Sequence, residues 1–266
     1  MNGIQSLSHE QYLLADGVSN SMLKVLSESS PLHLKWQIDG GKKEQTEAQK
    51  IGAITHRSIF EPETMESAFY VRPDGMKFTT KEGMAWKEAH ADRPILTANE
   101  RDSICAMVSA VQKHPTASRL LKNAAFEQSC FAEDSLGTLR KWRPDILPCA
   151  GNILPDLKTC EDASPRAFEK TIVQYGYYRQ AAYYLDGCKL LNREFENFVL
   201  IAVEKNPPYA VVVYPIDPLA IRPGRIEYER DLATYRECLE TGIWPGYQDQ
   251  VLSLPFWKQK ELESTL

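Results

Sequence analysis

The sequence predicts an α/β fold: a core of mixed β-sheet flanked by helices, with a helical N-terminal section. Two observations carry that expectation. The hydrophobic period is helical through about residue 125 and becomes alternating at Phe126. From there the patterns run three strands, a helix, two strands and a long helix. At 266 residues one domain over 1–266 is expected, mostly helical over 1–125 and strand-bearing over 126–266.

Taken in order, Ser19-Asn20-Ser21 reads as a polar cap on a helix that reaches Leu26, with Leu23 and Leu26 on one face. Ser29-Ser30-Pro31 stops it. A short helix through His33 and Trp36 leads to the polar loop Gly40-Gly41-Lys42-Lys43. A further helix starts near Gly52 and runs to Glu61, with Ile51, Ile54, Ile59 and Phe60 apolar and His56 among them. On its own, a lone histidine in such a pattern is ordinarily a satisfied core residue. Pro73-Asp74-Gly75 is a turn, and Thr80 to His90 a helix. Lys77, Lys81 and Lys87 there read equally as phosphate-facing or as a solvated face. Ile104, Met107, Val108 and Val111 mark the core side of a helix over 99–114 that breaks at His114-Pro115, before a short helical piece over 117–121.

Phe126 to Glu133 and Thr138 to Ile146 are expected as strands joined by the turn Asp134-Ser135-Leu136-Gly137, and Asn152 to Lys158 as the third strand of a meander. Pro144 and Pro155 mark strand ends or edges. One helix is expected from Ser164 to Asp186, strands over 198–203 and 209–215, and a long helix from Arg222 to Thr241. The aromatic tail Trp244 to Trp257 is expected to pack across the body.

Composition narrows the function classes. With 43% hydrophobic and 25% charged residues, the chain reads as globular and soluble. No apolar run approaches the roughly 20 residues of a membrane span, and Met1 to Glu10 lacks the basic region and apolar core of a secretory signal. A cytoplasmic protein is the expectation. Six scattered cysteines without a CxxC pair point to reduced thiols, not a zinc or iron–sulfur site. A net charge of −5 weighs against a protein that coats nucleic acid, but not against one needing positive potential only in a groove.

The chemistry-bearing stretch is Trp142-Arg143-Pro144-Asp145 followed, after ten residues, by Asp156-Leu157-Lys158. Asp156 and Lys158, two apart on a strand, project from the same face, and Asp145 lies at the end of the preceding strand. Such carboxylates can hold a hard divalent cation, with an ammonium beside it. Surface acids near a turn explain the same spacing equally well. On the following helix Gln180 and Tyr184 share a face, and Arg166, Lys170 and Arg179 interleave with Tyr175, Tyr177, Tyr178 and Tyr183. That mixture suits a nucleic-acid backbone and its bases, or, for the tyrosines, core packing.

Gly52-xxx-His56, Pro144-Asp145, Asp156-Leu157-Lys158 and Gln180-xxx-Tyr184, in this order, resemble the motif series of the RecB-like branch of the PD-(D/E)XK nucleases. The wording is similar to RecE-type nuclease domains, including Val18-Ser19-Asn20-Ser21-Met22-Leu23, Gly52-Ala53-Ile54-Thr55-His56 with Glu61-Pro62-Glu63, and Leu252-Ser253-Leu254-Pro255. The resemblance covers nearly the whole chain. It implies a restriction-endonuclease-like fold with Mg2+, or Mn2+, held by His56, Asp145, Asp156 and the Leu157 carbonyl. Lys158 would be the catalytic lysine, with Gln180 and Tyr184 orienting it, the water or the phosphate. Glu127 would be an additional acid near the site, or a surface residue. The implied activity is digestion of linear double-stranded DNA from a 5′ end, leaving 3′ single strands for a RecT-type annealing protein in phage or prophage recombination. A ring-shaped homo-oligomer, trimer or tetramer, is implied as well. A structure-specific or endonucleolytic enzyme of the same superfamily, or a non-catalytic DNA-binding module, are the alternatives.

Overall fold

The computed structural model describes residues 2–41 and 46–263; the Lys42 and Lys43 end of the expected glycine loop lies outside them. The N-terminal section comprises β1 (Gly3–Gln5), α1 (His9–Leu14), α2 (Asn20–Glu28), α3 (Pro31–Ile38), α4 (Glu47–Phe60) and α5 (Met65–Ala68). It continues through β2 (Tyr70–Val71), α6 (Lys81–Ala89), β3 (Ile95–Leu96), α7 (Ala98–Lys113) and α8 (Pro115–Leu120). Its helix starts follow from side-chain caps: Ser19 on α2, Thr80 on α6 and a full capping box from Thr97 to Glu100 on α7. The helix carrying His56 starts earlier than expected, because Thr46 and Gln49 form a capping box before Glu47.

The strand region comprises β4 (Ala124–Phe126), β5 (Ser129–Glu133), β6 (Leu139–Trp142), β7 (Ile146–Pro148) and β8 (Ile153–Cys160). The three-strand meander is not what forms. Both arms of the expected hairpin are broken, at Glu127 and at Arg143-Pro144-Asp145, while keeping one register on either side of the break. Phe126 pairs with Ile146, Cys130 with Trp142, and Glu127 N–H donates to the Asp145 carbonyl at 3.0 Å between them. Pro144 has no N–H for a ladder and Glu127 has φ +46°, so the hairpin kinks where the motif sits. β8 leaves this hairpin and pairs in parallel with β9 (Asn197–Glu204), which pairs antiparallel with β10 (Val211–Pro215). The mixed sheet is therefore β10-β9-β8, and β1 joins the hairpin as a sheet β1-β5-β6.

Two helices stand where one was expected: α9 (Pro165–Tyr175) and α10 (Tyr177–Leu190). Gly176 divides them in the left-handed conformation, φ +69°, which glycine adopts without steric cost. α11 (Pro218–Thr241) begins four residues before the expected Arg222, capped by Asp217 and carrying Pro223 in its first turns. The tail only partly packs: Trp244 meets Tyr235 and Tyr247 meets His33, while Val251, Leu252, Phe256 and Trp257 remain exposed. It ends in α12 (Phe256–Glu263).

β8 and β9 are buried on both faces, so their residues alternate between two cores. Leu154, Phe198 and Leu200 pack with Phe168, Tyr183 and Tyr228 on the α9–α11 side. Leu157, Ile201 and Val203 pack with Ile54, Ile104 and Met107 on the α4–α7 side. This alternation turns Asp156 toward α10 and Leu157 toward α4. Among the described residues no helix is long and apolar enough to cross a membrane.

Candidate active site

Four elements deliver side chains to one place. The hairpin kink supplies Asp145 and Glu127, β8 supplies Asp156 and Lys158, α4 supplies His56, and α10 supplies Tyr177, Gln180 and Tyr184. Asp145 Oδ2 accepts from the Leu157 N–H at 3.0 Å, which ties the kink to β8 across the gap between them. The same oxygen lies 3.5 Å from His56 Nδ1. His56 is oriented by rings: it meets Phe60 edge-on, and Phe60 stacks on Phe126, the residue before Glu127. Gln180 donates to Asp156 Oδ1 at 3.0 Å, and Lys158 Nζ stands 2.6 Å from Asp156 Oδ2. That contact is off the line of a hydrogen bond, so Asp156 Oδ2, fully buried, is held by charge without an aligned donor. Tyr184 donates to the Arg143 carbonyl at 3.2 Å and so pins the kink from the helix side.

Burial dominates the electrostatics. It pushes the Asp145 carboxyl up to about 6, against the pull of Lys158 and the Leu157 N–H. Burial and then repulsion from Asp145 bring Asp156 up to about 6 as well. Burial, reinforced by Lys158, lowers His56 to about 4, so at neutral pH it is an uncharged imidazole and its contact with Asp145 is not an ion pair. For Lys158 burial opposes the charge, but Asp156 and Asp145 outweigh it and hold the ammonium above the ordinary lysine range. Burial raises Tyr184 well above its ordinary value, so it stays a phenol.

Among the described residues, no three His, Cys, Asp or Glu side chains form a ready-made metal-binding group. The donor chemistry nevertheless suits a hard divalent cation: two carboxylates, one with an oxygen lacking an aligned donor, and a neutral imidazole. With both carboxylates ionised and one ammonium present, the cluster carries an excess negative charge that a cation would relieve.

His56, Asp145, Asp156, Leu157, Lys158 and Gln180 are thus brought together, and Tyr184 acts one residue back, on Arg143. Glu127 reaches the periphery. It accepts from Arg143 at 3.0 Å, and Arg143 also donates to the Leu7 carbonyl and to Ser129, anchoring the kink to the N-terminal strand region. Two contributors named in the sequence were not placed by it in the acid–lysine cluster. Arg143 was legible only as the neighbour of Pro144-Asp145. Tyr177 lies with its ring centroid 4.6 Å from Lys158 Nζ, and its place three residues before Gln180, hence on the same helix face, was the available signal. Arg179 belongs to the fold instead, in a buried ion pair with Asp231 at 2.7 Å.

No curated protein matches this chain. The crystal structure of a presumed exonuclease from Eubacterium rectale superposes with a TM-score of 0.68 over 98% of this chain and 100% of that one, at 11% identity, a likeness of fold. The structure of SSO0001 covers 74% of this chain and 97% of its own at 14% identity, but its TM-score of 0.31 is too low to compare folds. Residues 19–253 match the PDDEXK-like domain of unknown function (DUF3799), and this span includes every residue of the site. With most of its length matched and the acid–lysine cluster assembled in an α/β fold, the chain belongs to that PDDEXK-like family.

Proposed function

We propose that this chain is a metal-dependent deoxyribonuclease that digests linear double-stranded DNA from its ends. The observation that carries the reading is the convergence of Asp145, Asp156, Lys158 and His56 from three elements, with Gln180 fixing Asp156. Bound Mg2+ or Mn2+, held by Asp145, Asp156, His56 and the Leu157 carbonyl, would supply Lewis acidity and a water of lowered pKa. The chain's own groups do the rest. Gln180 holds Asp156 in one rotamer, leaving Oδ2 turned to the site. Lys158, held as the ammonium by Asp156 and Asp145 before a cation binds, stands beside the site as a charge stabiliser for the phosphate. His56 presents a neutral nitrogen. Tyr184 and Arg143 keep the kink from relaxing into a regular hairpin.

The finer reading is digestion in the 5′→3′ direction, leaving 3′ single strands for a RecT-type annealing protein, by a RecE-like enzyme acting as a ring-shaped homo-oligomer. The motif resemblance supports it. The test is linear duplex labelled at either the 5′ or the 3′ end, incubated with Mg2+ or with chelator. Early release of the 5′ label under Mg2+ alone is expected, with a covalently closed circle left intact and Asp156→Ala inactive but folded. Cleavage of the circle would replace the exonuclease reading by an endonuclease. Full activity of Asp156→Ala would remove this site from the chemistry.

A further inference from the structure

The Lys158 ammonium leans on the same carboxylate that is offered to a cation. Its Nζ stands 2.6 Å from Asp156 Oδ2, the oxygen without an aligned donor. A cation drawing on Asp156 weakens that hold by competing for the same charge. The lysine side chain is only 15% exposed, so water offers little replacement. An ammonium on a flexible four-carbon stem then needs a second hold to stay beside the phosphate.

The second hold is aromatic. The ring of Tyr177, half-buried at the start of α10, lies under Lys158 Nζ with its centroid 4.6 Å away. At that distance a ring face attracts an ammonium, and more strongly where water is scarce. The ring is braced in turn. Tyr175 stacks on it with 5.7 Å between centroids and 18° between planes, and the fully buried Phe168 meets it at 6.4 Å. Gly176, left-handed between α9 and α10, turns the chain between the two stacked tyrosines. One face of α10 thus grips the acid–lysine pair twice: Gln180 donates to Asp156 Oδ1, and Tyr177, three residues earlier, carries Lys158. Core packing asks only for bulk at this position, whereas holding an ammonium asks for the negative face of a ring.

We propose that Tyr177 is a positioning residue whose ring face holds the Lys158 ammonium in place when a cation draws on Asp156. The kinetic consequence rests on the nuclease reading; the contact itself does not. The contact is read first, in chelator, on the full chain carrying lysine labelled with 13C at the ε carbon. The ε-proton signal of Lys158, identified as the one lost in Lys158→Arg, should lie upfield of the other lysines through the ring current. Tyr177→Phe should keep that shift and Tyr177→Leu should lose it. On linear duplex with Mg2+, Tyr177→Leu should lower kcat about tenfold or more with KM changed less than about twofold, and Tyr177→Phe should recover most of that loss. Replacing Tyr177 by phenylalanines with two and then three ring fluorines keeps the bulk but drains the negative face, so kcat should fall stepwise. That series also keeps the test valid if Tyr177→Leu does not fold. A Lys158 signal among the ordinary lysines in wild type, or one unmoved by Tyr177→Leu, overturns the proposal. A kcat that stays flat across the fluorine series overturns it too. Equal loss in the Phe and Leu variants would assign the effect to the hydroxyl, and a loss confined to KM would make Tyr177 a DNA contact; either overturns the ring-face role. Inactivity of wild type on every DNA substrate would remove the nuclease reading, and the Lys158 signal would then decide the contact alone.

Discussion

Replacing Asp145 by asparagine should stabilise the metal-free protein at neutral pH, and the gain should disappear in acid. Asp145 is raised from 3.8 to about 6, so between those values the folded state holds a proton that the unfolded chain has released. Stability therefore falls as pH rises through that window and stays lower above it. A shift of about two units corresponds to about 3 kcal/mol at 1.36 kcal/mol per unit. The asparagine keeps an acceptor for the Leu157 N–H and removes the charge that repels Asp156, but it also removes attraction for Lys158. The net gain expected above pH 7 is about 1–3 kcal/mol, a rise of several degrees in Tm. His56 contributes the opposite trend, because its folded-state pKa of about 4 lies below 6.5 and stability is lost as pH falls between them. That contribution is common to both proteins and cancels in the difference. Thermal melts in chelator from pH 4 to 8 provide the assay, with Mn2+ added in parallel to stabilise wild type more than the variant. A variant less stable than wild type at pH 8, or a difference that does not change with pH, would refute the reasoning.

Three further outcomes are expected. Gln180→Ala frees Asp156 Oδ1 from a charge-assisted hydrogen bond worth about 1.5–3 kcal/mol, so kcat on linear duplex should fall roughly ten- to hundredfold with the fold intact; Gln180→Glu, which sets another acid against Asp156, should be worse, and wild-type rates from either variant would count against this role. Apparent affinity for Mn2+, measured by calorimetry, should tighten as pH rises through about 6 and level off from about pH 7, because both carboxyls must lose their protons while His56 is already neutral. A continued rise from pH 7 to 8.5 would show that another group controls binding. Gly187→Ala would place a Cβ 2.9 Å from the fully buried Trp142 ring, costing about 1–3 kcal/mol through overpacking and lowering Tm by several degrees, whereas an unchanged melt would mean that the α10–β6 contact is looser than it stands here.

Helix boundaries were legible because capping is local: Ser19, Thr80 and Thr97 each accept from a backbone N–H three residues on. Two breaks that the sequence pattern runs through have physical reasons. Pattern alone runs through Gly176 because apolar residues continue on both sides, and only the left-handed backbone there reveals two helices. The hairpin arms read as continuous strands because alternation persists across Glu127 and Arg143-Pro144-Asp145, where the ladder is interrupted.

Within the site, Asp156 and Lys158 required only the two-residue period of a strand to be placed on one face, and Gln180 and Tyr184 only the helical period. The sequence by itself therefore determined the α/β class, the local facing of these pairs and the acid–lysine spacing, since all depend on neighbours a few residues away. The tertiary structure alone decided that β8 leaves the hairpin to pair with β9, and that His56 arrives from a helix on the opposite side of the sheet. It also decided that Tyr177 lies under the Lys158 ammonium and that burial raises both carboxyls to about 6. These features depend on contacts between residues tens of positions apart and on the exclusion of water, which no local pattern encodes.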